Sequence, residues 1–275
     1  MERDNFRRSE FLYRRARGLL ERFPANAKLI GEENIDLIRN LLNDGWIITA
    51  AGDHKSLADM YTVYSAAIKY KFSDLPENGN IVMGIKWTRK FPTSLITKVL
   101  RVIETVPNSV PAAKFPDRDE INQRAFDAHH NSPPGKLWMV TPEGTRSDGK
   151  MEQGRQRTIE FWHGEGGATD GRILLPVAVE GTERQWPKGK GFMYFLRKGR
   201  HEEALFIFGK PIKVADIDQV ASELAEGNEK LFKQYQIDVV MTLIASQHVS
   251  DLYTEKFKEL VTTIRDQSLF QSESL

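Results

Sequence analysis

Between residues 46 and 208, short apolar runs alternate with longer amphipathic stretches, and this alternation admits very few folds. Trp46–Ala51, Ile81–Trp87, Lys136–Thr141, Ile173–Val179 and Leu205–Phe208 are too short to be packed helices and read as strands, with a further short strand at Ile103–Val106. Near-continuous apolar runs of this length belong to strands buried on both faces. Ser56–Tyr70, Pro92–Val102 and Asp119–His130 lie between them and read as helices. Strand and helix in alternation predict an α/β fold: a mainly parallel central sheet flanked by helices.

Helical additions are expected at both ends. Asn5–Phe23 reads as a basic amphipathic helix stopped by Pro24, and Glu33–Asn43 as a second helix. The last third reads as helices over Ile217–Ala225, Glu229–Ala245 and Asp251–Ile264, the last with a core-facing stripe through Tyr253, Phe257, Leu260, Val261 and Ile264. Ser73–Asn80, Asn131–Gly135 and Gly164–Gly171 read as loops. No Pro/Gly/Ser linker divides the chain. We therefore expect one domain over 1–275, with N-terminal helices in 1–45, an α/β core in 46–210 and C-terminal helices in 211–275.

Composition removes several classes of function. The chain has no cysteine, which excludes disulfides, thiolate metal sites, iron–sulfur clusters and a cysteine nucleophile. With 39 Lys and Arg against 38 Asp and Glu the net charge is +1, so no nucleic-acid partner is expected. No run of 18 apolar residues suggests a spanning helix. The chain contains neither nucleotide-binding glycine signature, no Gly-x-Ser-x-Gly elbow and no His-Glu-x-x-His zinc motif. His129 and His130 read as a surface pair.

Two strand ends carry reactive side chains, and in an open parallel sheet ligands bind at the carboxyl ends of strands. Gly52-Asp53-His54-Lys55-Ser56-Leu57-Ala58-Asp59 follows the first strand, and Pro142-Glu143-Gly144-Thr145-Arg146-Ser147 follows the strand at 136–141. If both strands run parallel in one sheet, both loops share a rim. On a continuous helix His54 and Asp59 would point about 140° apart. With His54 in the loop and Asp59 in the first turn, the carboxylate can fold back onto the imidazole. It would then fix the tautomer and leave the other nitrogen to accept a proton from a hydroxyl. Ser56-Leu57-Ala58-Asp59 also fits a capping box, in which Asp59 serves only the helix N-terminus. Taken alone, Glu143–Arg146 reads as an ordinary polar turn after a strand rather than as a phosphate site. There the glycine would admit a ligand to the backbone and the arginine would offer its fork.

The two loops together, His-x-x-x-x-Asp followed by Thr141-Pro-Glu-Gly-Thr-Arg-Ser147, resemble the glycerolipid acyltransferase family of 1-acylglycerol-3-phosphate and glycerol-3-phosphate acyltransferases. Ile173-Leu-Leu-Pro-Val-Ala-Val179 resembles the family's last block, and the resemblance runs from Trp46 to Glu183. It implies an enzyme that moves a fatty acyl group from acyl-CoA or acyl-carrier protein to a hydroxyl of glycerol-3-phosphate or a lysophospholipid. His54 would be the general base and Asp59 its orienting partner. Glu143, Gly144, Thr145 and Arg146 would bind the acceptor, with Arg146 on its phosphate. Lys86 matches the second block, and Pro176 would shape the acyl or pantetheine path. No cofactor or metal is required beyond the thioester co-substrate.

The chain departs from the family pattern twice. Asp53 stands where the first block usually has asparagine, and either adds a second carboxylate to the imidazole or faces away. The arginine that normally ends the second block is absent from Val106-Pro-Asn-Ser109, with Arg89 or Arg101 as replacements. The alternatives are therefore an acyltransferase for a non-phosphorylated alcohol or glycan, or a catalytically silent lipid-binding protein. A lipid acceptor implies a cytoplasmic protein working peripherally at the cytoplasmic membrane face. Two basic segments could meet anionic lipid: residues 1–22, with seven Arg against four Asp and Glu, and Trp186–Arg200, with five basic residues and no acid. Within the latter, Phe192–Leu196 reads equally as a lipid-facing run or a sheet strand.

Overall fold

A computed structural model of the chain describes residues 14, 17–18, 21–88, 101–107, 110–144 and 151–250. The fold is α/β. Its sheet has the strand order β1-β7-β6-β2-β5-β3-β4, with β8 paired to β6. The strands are β1 (Ala27–Ile30), β2 (Ile47–Gly52), β3 (Asn80–Gly84), β4 (Arg101–Thr105), β5 (Leu137–Val140), β6 (Arg172–Glu180), β7 (Ala204–Phe208) and β8 (Ile212–Lys213). β4, β3, β5, β2 and β6 run parallel, so their carboxyl ends form one rim. β7 and β8 pair antiparallel with β6, and β1 pairs parallel with β7.

β2 and β6 are central because they can be buried on both faces. Every residue of β6 is buried. Its Ile173, Leu175, Val177 and Val179 face the helices α1 (Asn34–Asn43) and α2 (Asp59–Lys69). Leu174, on the opposite face, joins the core made by the C-terminal helices α8 (Val214–Ala225) and α9 (Glu229–Gln247). Strand alternation thus separates two apolar cores. The remaining helices are α3 (Asp74–Asn78), α4 (Ile85–Thr88), α5 (Arg118–His130), α6 (Thr182–Gln185) and α7 (Phe192–Arg197). Among the described residues no helix is long and apolar enough to cross a membrane.

Several expectations shift. Residues 27–30, expected in a helical N-terminal region, are the strand β1, seated on β7. The strand expected over 81–87 ends at Gly84 and turns into α4. Arg101 and Val102, expected to end a helix, open β4 because they pair with Asn80 and Ile81. The stretch 73–80, expected as a loop, holds α3. Phe192–Leu196 is helical and turns inward: Phe195 is fully buried, 4.8 Å from the Tyr61 ring and 5.3 Å from Trp186. Its one strongly exposed large apolar side chain is Met193.

His129 is not at the surface. It is fully buried, edge-on to Trp138, with Nε2 3.3 Å from the Thr49 hydroxyl. Burial and the Arg172 charge push its imidazole down to about 3, so it sits in the core neutral. The helix expected at 251–264, most of that at 5–23 and most of that at 92–102 lie outside the described residues.

Candidate active site at the carboxyl rim of the sheet

β2 and β5 are adjacent and parallel, with Ala51 opposite Val140, so the loops that follow them meet on one rim. The backbone stays extended to Gly52, where a Cβ would lie 3.3 Å from the Val177 carbonyl oxygen. Such close strand approach favours a small residue there. The chain then turns, and α2 starts at Asp59 rather than at Ser56.

Asp59 sets that start. Its carboxylate accepts from the backbone N–H of Ser56 and of Lys55, each at 3.0 Å, and from the Thr182 hydroxyl. It also lies 2.6 Å from His54 Nδ1. The contacts to the loop backbone and to the imidazole therefore coexist on one buried carboxylate. With Nδ1 donating to Asp59, the His54 tautomer puts the accepting lone pair on Nε2. Ser56 Oγ in turn donates to the Trp186 carbonyl at 2.9 Å, tying the loop to the segment after β6.

Glu143 is buried and holds backbone. Its Oε2 accepts from the His54 N–H at 3.0 Å and its Oε1 from the Glu152 N–H at 2.7 Å. The structure thus places Glu143 beneath the His54 loop as a clamp, while Gly144 lies on the cavity wall. Burial pushes the Glu143 carboxyl up to about 7, against the two N–H contacts. Its ordinary value is 4.5, so its stabilising contribution is full below that pH and declines as pH rises to about 7. The loss amounts to about 3 kcal/mol at most. Glu143→Gln cannot titrate. The difference in unfolding free energy between wild type and this variant should narrow between pH 4.5 and 8 in urea denaturation.

Asp53 faces away from the imidazole. Its Oδ1 accepts from the Val179 N–H at 2.8 Å, and its Oδ2 lies 2.8 Å from Lys55 Nζ and 3.2 Å from His248 Nε2. His248 Nδ1 lies 3.0 Å from Glu180 Oε1, which also accepts from the Val249 and Ser250 N–H groups. The Asp53, Lys55 and His248 side chains have no solvent exposure. Burial would raise Asp53, but His248 and Lys55 outweigh it and hold the carboxyl below its ordinary range. Burial would lower His248, but Asp53 and Glu180 outweigh it and hold the imidazole above its ordinary value. Of this network, reading the residues in order singled out only Asp53.

A cavity of about 300 Å³ opens at His54 and Asp59, at the lower end of the range typical of ligand clefts. On the α1/α2 side it is lined by Ile38, Phe72, Leu75, Leu175, Val177 and Phe208. At the rim it is lined by Thr105, Val106, Pro107, Thr141, Gly144, Arg155, Arg157 and Thr158. Pro176 is on the other face of β6, where its ring lies against Gly209 rather than this cavity. Thr145, Arg146 and Arg89 lie outside the described residues, as does the Lys86 side chain, although Lys86 itself is in α4. Arg101 is exposed in β4. Arg155 and Arg157 had no motif to mark them. Among the described residues no group of three or more His, Asp and Glu side chains could hold a metal ion. No family model matches the chain, and no curated protein matches it.

Proposed function

We propose that this chain is an O-acyltransferase that moves a fatty acyl group from acyl-CoA or acyl-carrier protein to a hydroxyl of glycerol-3-phosphate or a lysophospholipid. The observation that carries the reading is the 2.6 Å His54 Nδ1–Asp59 contact at the mouth of an apolar cavity. His54 Nε2 takes the proton of the acceptor hydroxyl as its oxygen attacks the thioester carbonyl. Asp59 stabilises the imidazolium that forms. The tetrahedral species then expels the thiolate, which leaves as the thiol once protonated from His54. No protein nucleophile is needed, and the apolar cavity suits the acyl chain.

An acceptor without phosphate is the second reading. Val106 and Pro107, not a cation, line the rim after β4 where the resembled family places an arginine. In either case the substrates put the protein at a membrane surface on its cytoplasmic side. The exposed Lys188, Lys190, Arg197 and Lys198 around Met193 would face anionic lipid.

Thiol release from acyl-CoA and acyl-carrier protein tests the reading, with glycerol-3-phosphate, lysophosphatidate, a lysophospholipid and a neutral alcohol as acceptors. Acceptor-dependent release is expected, falling by about 10²–10⁴-fold in His54→Ala. Release with the neutral alcohol alone would select the second reading. Absence of release with every acceptor and both donors would reduce the chain to a lipid-binding protein.

A further inference from the structure

Arg155 and Arg157 lie on the wall of the cavity that holds His54. Both are exposed, and both line that cavity together with Gly144, Thr105 and Thr158. Arg155 is fixed through the His54 loop itself. Its Nε donates to the Glu143 carbonyl at 2.9 Å, and the Glu143 carboxylate in turn takes the His54 N–H. Gly144 makes this seat. It has φ +64°, and a Cβ there would meet Arg155 Cδ at 3.0 Å. A side chain at 144 would be strained and would push the guanidinium aside. Arg157 lies over the Phe126 ring, 5.2 Å from its centroid, which limits where its fork can go. Among the described residues neither guanidinium forms an ion pair with a carboxylate. Two oriented arginine forks with no carboxylate partner among the described residues, at the mouth of an apolar cavity, match an amphiphile with a phosphate at one end.

We infer that Arg155 and Arg157 form a phosphate subsite at the cavity mouth, holding a phosphate ester of a substrate beside His54. The role within catalysis rests on the transferase reading above; the binding of a phosphate amphiphile does not. The phosphate belongs either to the acceptor headgroup or to the carrier arm of the thioester, and substrates that lack one or the other distinguish them.

Binding comes first, because it needs no turnover. Equilibrium titration of dodecyl phosphate and of dodecyl maltoside should show wild type preferring the phosphate. That preference should fall by about 10- to 100-fold in the Arg155→Gln/Arg157→Gln variant. Arg157→Gln alone, which spares the Arg155–Glu143 contact, should lose part of it, and Arg155→Lys should keep more of it than Arg155→Gln. An unchanged preference in the double variant, with its melting temperature intact, overturns the subsite. A loss of binding to both amphiphiles together also overturns it, because that outcome reports a damaged cavity.

Turnover then assigns the source. The KM ratio of monoacylglycerol to lysophosphatidate should collapse in the double variant if the acceptor carries the phosphate. The KM ratio of acyl-N-acetylcysteamine to acyl-CoA should collapse if the donor does. If wild type binds dodecyl phosphate through these arginines but releases no thiol, the subsite stands and the transferase reading fails.

Discussion

Replacing His248 with alanine should lower the unfolding free energy by about 3–5 kcal/mol. The imidazole has no solvent exposure and lies between Asp53 and Glu180, at 3.2 and 3.0 Å. Removing it leaves two buried carboxylates with Lys55 as the remaining cation of the group, 2.8 Å from Asp53. The cost is that of uncompensated buried charge rather than of a lost contact. Because the folded state holds His248 above its ordinary value, its contribution is full below pH 6.5 and is lost as pH rises through the raised value. The stability gap between wild type and His248→Ala in urea denaturation should therefore be largest near pH 6 and narrow in alkali. Asp53 has the opposite sign. Its contribution is present above its ordinary value of 3.8 and is lost as pH falls through the lowered one. Asp53→Asn would restore the residue with which the resembled family opens this block, yet here it should destabilise. An amide cannot balance Lys55 and His248, and Asp53 and Lys55 flank the candidate base, so transfer should slow as well. A gap that instead shrinks as pH falls below 6.5 would mean that His248 is buried neutral.

Asp59→Asn should reduce acyl transfer by about 10²–10⁴-fold while leaving the chain folded. The amide keeps one oxygen for the Lys55 or Ser56 N–H, so the loss at the helix start should stay within about 0.5–2 kcal/mol. At His54, however, the change is chemical. If the amide oxygen stays on the backbone N–H groups, an NH₂ meets Nδ1 and favours the tautomer that protonates Nε2, the nitrogen that must accept the acceptor's proton. The loss should appear mainly in kcat, with KM altered little. His54→Ala combined with Asp59→Asn should be no slower than His54→Ala alone, since the two act as a unit. Additive losses would separate Asp59 from the chemistry and leave it only as a cap.

What could be read from the residues in order was whatever depends on near neighbours. The apolar runs of β2, β5 and β6 are long and continuous enough to mark strands buried on both faces, and their alternation with helices fixed a parallel sheet with a shared carboxyl rim. His54 and Asp59 lie within one loop and one helical turn, so their spacing already contained the pair. β1 was hidden because Ala27–Ile30 alternates buried and exposed residues over only four positions, and its pairing with β7 comes from the far end of the sheet. Pro176 was legible as a strand residue but not as one facing Gly209, because the face follows from register. The fates of Asp53, Glu143, His129 and His248 belong to the tertiary structure alone. A charged or polar side chain carries no local sign of whether it will meet water or a partner distant in the chain. Asp53 and His248 are far apart in the chain and become tolerable inside the protein only once both are buried together.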